Sequence, residues 1–303
     1  MSLQKLRVIS VSLQPTEVLK IDFETLDGSR LNYTAGQFLT LVFNVDGKEH
    51  RRSYSFCSSP DVDEPISIAV KLVENGEISR FIHHQLTKGD ILEVANPNGL
   101  FIYQTETEIK RTVFLFGAGV GITPLFSILK TILVKEVNTK VILIYSSRTA
   151  EDTLFLNEID KWQVNYPDRL KVIYLFSNSK NLMRARLNGF LINQLVKEEM
   201  VYDKNDALFY LCGPYDYMDV CKITLLGAGY QPKQVRKETF VMPEDELDED
   251  DATEKIVDKN TYSVNLHFQG KVHHLLVPWP KRILDVALAN KINIPYSCSG
   301  GVC

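Results

Sequence analysis

The stretch Gly117-Ala118-Gly119-Val120-Gly121-Ile122-Thr123-Pro124 follows the apolar run 112–116 and precedes a segment with helical spacing. Glycines at three alternating positions let a backbone approach a ligand closely. Thr123 suits the N-cap and Pro124 the first helical position. A strand, a glycine turn and a helix start make a phosphate cradle of the dinucleotide-binding type. The spacing is G-x-G-x-G, so the common G-x-G-x-x-G fingerprint is not met.

Four other places carry chemistry-bearing side chains. Arg52-Ser53-Tyr54-Ser55 closes a strand-like run. There an arginine could grip a phosphate in a bidentate bond, a tyrosine could lie against a flat ring and a serine could bond a polar ring edge. Taken alone, the tetrapeptide fits a solvated arginine better than a ligand contact. Gly76-Glu77-Ile78-Ser79 opens a helix, where free N–H groups attract anions; plain capping by Ser79 is the competing reading. Ser146-Ser147-Arg148-Thr149 follows a second apolar strand, where Arg148 would favour a ribose 2′-phosphate and an acid would favour a free hydroxyl. Cys212-Gly213-Pro214 ends the strand 207–211, either at a ligand entry point or as a small buried thiol. The six histidines fall largely in the pairs His83-His84 and His273-His274, with no metal-ligand spacing.

These residues need two kinds of scaffold. Segments 5–11, 17–24, 38–45, 51–56 and 66–72 are β-rich and punctuated by glycine and proline, which predicts an antiparallel barrel or sandwich with one helix over 78–86. From about residue 112 strands (112–116, 141–145, 170–176, 207–211) alternate with helices (124–134, 152–166, 188–197, 217–228), predicting a doubly wound parallel sheet. A hairpin over 262–277, a helix over 283–290 and a run over 294–298 follow.

The 303 residues hold 45% apolar and 24% charged side chains, as expected for a globular multi-domain protein. Residues 244–254 contain eight acids and no base, the pattern of a solvated linker. Removing those eight from the 38 acids leaves 30 against 34 bases, too even for a nucleic-acid footprint. No apolar run reaches the roughly 18 residues of a membrane span, and the N-terminus lacks a signal-peptide core. Five scattered cysteines do not make a disulfide framework, so a reducing cytoplasm is the expected compartment.

In this order and spacing the motifs resemble the ferredoxin–NADP reductase superfamily over roughly residues 3–240, with Glu238-Thr239-Phe240 similar to its module end. The resemblance implies an FAD-binding Greek-key β-barrel over 1–108, a Rossmann-like NAD(P)-binding α/β domain over 109–240 and an acidic linker over 241–260. It implies FAD contacts from Arg52, Ser53, Tyr54, Ser55, Val70, Gly76, Ile78, Ser79, Thr123 and Phe240. NADPH would meet Gly117, Gly119, Val120, Gly121, Thr123, Pro124, Ser147, Arg148, Cys212, Gly213 and Pro214. Ser55 and Cys212 would flank the reacting rings. No acid–base pair is called for.

Residues 261–303 resemble the start of a plant-type two-iron ferredoxin of β-grasp fold. Cys298 and Cys303 match the first two ligands of a C-x₄-C-x₂-C run. A reductase module followed by such a domain is most similar to reductase subunits of the phenylacetyl-CoA epoxidase type and related aromatic-oxygenase reductases. The implied function is NADPH-dependent electron transfer, through FAD and a 2Fe–2S ferredoxin domain, to an oxygenase partner. A general ferredoxin or flavodoxin reductase, and a flavin relay subunit that oxidises no NADPH, are the alternatives. Two cysteines cannot complete a Cys₄ site, so the expectation is flavin without a cluster in these 303 residues. A lone hairpin should also leave Val264, Leu266, Leu275 and Val277 without partner strands.

Overall fold

The computed structural model describes residues 3–45, 47–181, 185–240, 260–279, 281–292 and 294. They form two units, 2–240 and 241–303, with residue 1 grouped with the second.

Alternation of apolar and polar residues builds the first sheet. Leu6 and Val8 of β1 (Gln4–Gln14), Ile21 and Phe23 of β2 (Val18–Thr25), and Leu39, Leu41 and Phe43 of β3 (Phe38–Val45) all point into one core. β4 (Lys48–Ser55), β5 (Ile66–Lys71) and β6 (Ile91–Val94) complete an antiparallel sheet of order β4-β3-β6-β1-β2-β5. A bridge between Phe56 and Ile68 joins its two edges, so the sheet curls into a barrel without free edges there. Helix α1 (Glu77–Gln85) covers one end through Ile78 and Ile82.

β7 (Thr112–Ala118) is buried along its whole length, the mark of a parallel strand covered on both faces. With β8 (Lys140–Ser147), β9 (Leu170–Phe176), β10 (Leu208–Cys212) and β11 (Val235–Glu238) it forms a parallel sheet of order β11-β10-β7-β8-β9. Val113 and Leu115 face α2 (Ile122–Lys135) and α3 (Leu156–Asn165). Phe114 and Phe116 face α4 (Gly189–Glu199) and α5 (Tyr215–Gly227). The α2-side core also takes in Ala35, Cys57, Phe101 and Tyr103, so one hydrophobic cluster runs from barrel to sheet.

Several boundaries differ from the sequence expectation. Helix α3 begins at Leu156, not 152, because Phe155 adopts a left-handed φ of 58° and its ring stacks on Phe126. Strands β6 and β11 lie outside that expectation; the first has four residues and the second is the polar Val-Arg-Lys-Glu.

In the second unit, β12 (Thr261–Phe268) and β13 (Lys271–Pro278) pair as a hairpin against α6 (Ile283–Ala289). The hairpin has no partner strand among the described residues, and Leu275 and Val277, 3% and 5% exposed, are covered instead by Val286, Ala287 and Ile292. Val264 and Leu266 are partly buried. The linker over 241–259, most of the run 294–298, and Cys298 and Cys303 lie outside the described residues. Among the described residues, no helix is long and apolar enough to cross a membrane.

Candidate functional site

On β4 the register sets Arg52 opposite Leu41, Ser53 opposite Thr40, Tyr54 opposite Leu39 and Ser55 opposite Phe38. Arg52 is exposed, and its guanidinium donates to the Arg51 carbonyl at 2.9 Å. Among the described residues it forms no ion pair. A cation so free of acids suits an incoming diphosphate. Tyr54 is half-buried; burial pushes its hydroxyl up to about 12, against the pull of Arg52. Ser53 shares a 2.9 Å hydrogen bond with Thr40, and Ser55 is buried at the strand end.

At the start of α1, the amides of Glu77, Ile78 and Ser79 precede the first intrahelical bond, from Arg80 N–H to the Gly76 carbonyl. The Ser79 hydroxyl is committed locally: it accepts from Val73 N–H at 3.1 Å and donates to the Gly76 carbonyl at 3.1 Å. A Cβ on Gly76 would lie 2.5 Å from that hydroxyl, so the turn excludes a side chain. Val70 and Ile78 bury their side chains in the barrel core, which leaves only backbone atoms for a ligand. The Val70 carbonyl is itself bonded by His83 Nε2 at 3.0 Å.

The glycine loop departs from its sequence reading in two ways. Helix α2 begins at Ile122, with Gly121 in the capping place after a 3₁₀ turn over Gly119–Gly121. Thr123 and Pro124 therefore sit two residues deeper than expected, and the Thr123 hydroxyl donates back to the Val120 carbonyl at 3.0 Å instead of capping. The glycines also do different work. Of the three, only Gly119, at φ 52°, opens onto free space. A Cβ on Gly121 would meet the Cys212 carbonyl oxygen at 2.3 Å, and one on Gly117 would meet Leu125 at 3.1 Å. A Cβ on Gly213 would meet Ala118 Cβ at 2.9 Å. Gly121 and Gly213 thus bring the ends of β7 and β10 together, and Gly119 is left to face a ligand.

At the same sheet edge the Ser146 and Ser147 hydroxyls are buried without a well-formed hydrogen bond. Tyr145 and Tyr217 brace the loop by donating to the Gly119 carbonyl (3.0 Å) and the Gly117 carbonyl (3.1 Å). Arg148 reaches out, its side chain 81% exposed, and pairs with Asp152 at 3.0 Å. Cys212 is fully buried; burial first, then the Glu238 carboxylate, push its thiol well above the usual range. Pro214 precedes α5. Phe240, 45% exposed, ends the first unit.

One residue outside the sequence-based set stands out. Glu238 pairs with Cys212 across β10 and β11, and burial raises its carboxyl to about 7. The sequence reading placed Glu238 at the module end, but nothing in Val235–Glu238 announced a strand, so its pairing with Cys212 could not be read. Cys57, Cys212 and Cys221 are all buried, and among the described residues no group of three or more His, Cys, Asp or Glu could hold a metal.

A curled antiparallel sheet that offers an acid-free arginine and a helix start, joined to a parallel sheet with a glycine cradle, fits a two-domain oxidoreductase fold for a flavin and a pyridine nucleotide. Residues 5–103 match the oxidoreductase FAD-binding domain and residues 115–222 the oxidoreductase NAD-binding domain. The chain is 31% identical to a subunit of the 1,2-phenylacetyl-CoA epoxidase of Escherichia coli, over 94% of this chain and 83% of that one. It is 32% identical to the ferredoxin reductase component of 3-ketosteroid-9-alpha-monooxygenase of Rhodococcus rhodochrous, over 89% of this chain and 75% of the relative. In fold it is similar to phthalate dioxygenase reductase, with a TM-score of 0.66 at 22% identity over 98% of this chain and 83% of that one. The chain belongs to the ferredoxin reductase family of FAD- and NAD-binding oxidoreductases.

Proposed function

We propose that this chain is the reductase component of an oxygenase system, holding FAD on its barrel and NADPH on its parallel sheet. Its partner would be an oxygenase of the phenylacetyl-CoA epoxidase type, reached through a 2Fe–2S ferredoxin domain that begins at about residue 261 and uses Cys298 and Cys303. When bound, FAD accepts an electron pair from reduced nicotinamide and releases the electrons singly, which a one-electron acceptor requires.

The chain's own part is to bind and orient. Arg52 and the free amides of residues 77–79 would hold the FAD diphosphate. Tyr54 would flank the flavin ring and Ser55 would bond its polar edge, with Ser53, Val70, Gly76, Ile78, Ser79, Thr123 and Phe240 around them. On the sheet, Gly119 offers the open backbone, Gly117, Val120, Gly121, Thr123 and Pro124 shape the turn, and Ser147 with Arg148 would meet the ribose. Cys212, Gly213 and Pro214 would line the nicotinamide end, where a buried thiol excludes water.

The observation that carries this reading is the division of labour among the loop glycines. Gly121 and Gly213 close the sheet edge against protein, while Gly119 opens at a helix start beside two underbonded serines. Released flavin, chromatographed after denaturation, should be FAD; FMN as the main product would sink the barrel assignment. Anaerobic mixing with NADPH should bleach the flavin. NADH is the competing choice, favoured by the Asp152 carboxylate that ties Arg148, and wins if it gives the higher kcat/KM.

A further inference from the structure

Helix α2 is apolar along most of its length but carries a polar stripe at Ser127, Lys130 and Thr131, all 2% exposed or less. Spacings of three and four residues put them on one helix face. That face meets residues 58–64, the segment just after the flavin motif 52–55. Ser127 Oγ donates to the Ser58 carbonyl at 2.6 Å. Thr131 Oγ1 lies 2.7 Å from Ser59 Oγ and donates to Asp61 at 3.1 Å. Lys130 Nζ pairs with Glu64 Oε1 at 2.5 Å and sits 4.4 Å from the Phe126 ring centre. Glu64 also accepts from Ser59 N–H at 2.7 Å.

The segment is pinned from the barrel side as well. Tyr33 shares a 2.8 Å hydrogen bond with Ser58 and stacks on Phe56, and Ser67 N–H donates to Ser58 Oγ at 2.8 Å. Residues 56–59 are therefore clamped between barrel and helix. Ser55 lies immediately before the clamp, and the 119–121 turn ends nine residues before Lys130, roughly 13 Å along the helix.

We infer that Lys130 is a positioning residue: with Glu64, Ser127 and Thr131 it sets the distance and angle between the flavin-holding end of β4 and the nucleotide loop. The inference rests on the flavin and nucleotide assignments proposed above. A buried lysine is a poor choice for stability alone, because desolvation costs much of what its pair returns. Burial pulls its ammonium below the usual range, against the opposing effect of Glu64. What a buried, directional pair supplies is a fixed geometry, and misplacement by about 1 Å can cost a hundredfold in rate.

The test compares wild type, K130M/E64Q and K130R. K130M/E64Q removes both charges together, so no buried ion is orphaned, and it keeps the acceptor for Ser59 N–H. It should retain FAD and bind NADPH with little change in Kd. Flavin bleaching at saturating NADPH should slow about tenfold or more, and the long-wavelength charge-transfer absorbance on nucleotide binding should weaken. Hydrogen exchange of 57–64 and 122–135 should quicken in the flavin-free protein. K130R should recover most of the rate. Wild-type bleaching and charge-transfer absorbance in K130M/E64Q would overturn the inference, whatever happens to Tm. If K130M/E64Q cannot hold FAD, S127A, which leaves both charges in place, decides: a several-fold slower bleaching supports the inference and an unchanged rate overturns it. A wild type that neither NADPH nor NADH reduces would instead overturn the functional proposal itself.

Discussion

The two candidate ligand regions are built on opposite principles. On β4 and α1 the groups offered are side chains and loose amides at the surface: Arg52 is exposed, unpaired with any acid among the described residues, and supported by nothing the fold depends on. At the β7–α2 turn the group offered is backbone, and the surrounding atoms are buried and in close contact. A site made of exposed side chains can lose affinity without losing structure. A site made of backbone is less separable, because the open Gly119 lies in the same short turn as Gly121, which packs the end of β7 against β10.

The sharpest test of that contrast is G121A. Its new methyl would overlap the Cys212 carbonyl, main chain that cannot swing aside, and should cost about 3 kcal/mol or more, roughly 6–12 °C in Tm. G119A meets no atom and bears only the left-handed φ, so its penalty should be about 1–2 kcal/mol. Equal melting temperatures for the two variants would remove the distinction drawn between packing and ligand-facing glycines.

R52A should do the reverse. Losing a charge-assisted contact is worth about 2 kcal/mol, near thirtyfold in the FAD dissociation constant. The melting temperature of the flavin-free protein should stay within a degree or so, since Arg52 has no structural partner beyond its neighbour's carbonyl. A large drop in apo-protein stability would break the comparison from the other side.

R148A should narrow the NADPH-over-NADH preference by about tenfold, the low end for a charged contact because Arg148 is solvated and shared with Asp152. An unchanged ratio of kcat/KM values would dismiss the arginine as the 2′-phosphate partner.

The smallest effect concerns Glu238. Its carboxyl is raised to about 7 in the folded chain from an ordinary 4.5, so the native state holds the proton more tightly than the unfolded state. Between those values the folded chain binds more protons, and stability must fall as pH rises. Wild type should therefore lose about 1 kcal/mol relative to E238Q from pH 4.5 to pH 7, the full shift being discounted for partial solvent contact. Parallel Tm curves for the two proteins across that window would contradict the raised value.

Much of this architecture was legible in the chain. The alternation of Leu39, Leu41 and Phe43 and the unbroken apolar run of β7 reported their sheets through local periodicity. The hairpin around Gly270 and a helix near 188–197 were also legible, whereas the cap itself, Asn188 accepting from Leu191 N–H at 3.0 Å, came from the structure. Strands β6 and β11 were not legible, because four residues carry too little periodicity, and Val-Arg-Lys-Glu becomes a strand only by pairing with β10.

The order of motifs, and hence the pairing of a flavin barrel with a dinucleotide sheet, was determined by the sequence alone, since glycines, caps and apolar periods act over a few residues. Tertiary structure decided which glycine is left open. Gly117, Gly119 and Gly121 are identical letters, and only the approach of Cys212, 91 residues beyond Gly121, separates the packing glycine from the open one. It likewise decided the fate of Lys130. A lysine in a helix is read as solvated until Glu64, 66 residues earlier, is brought to it by the closing of the barrel against α2. Long-range contacts of this kind are fixed by how preformed elements pack, and no window of neighbouring residues contains both partners.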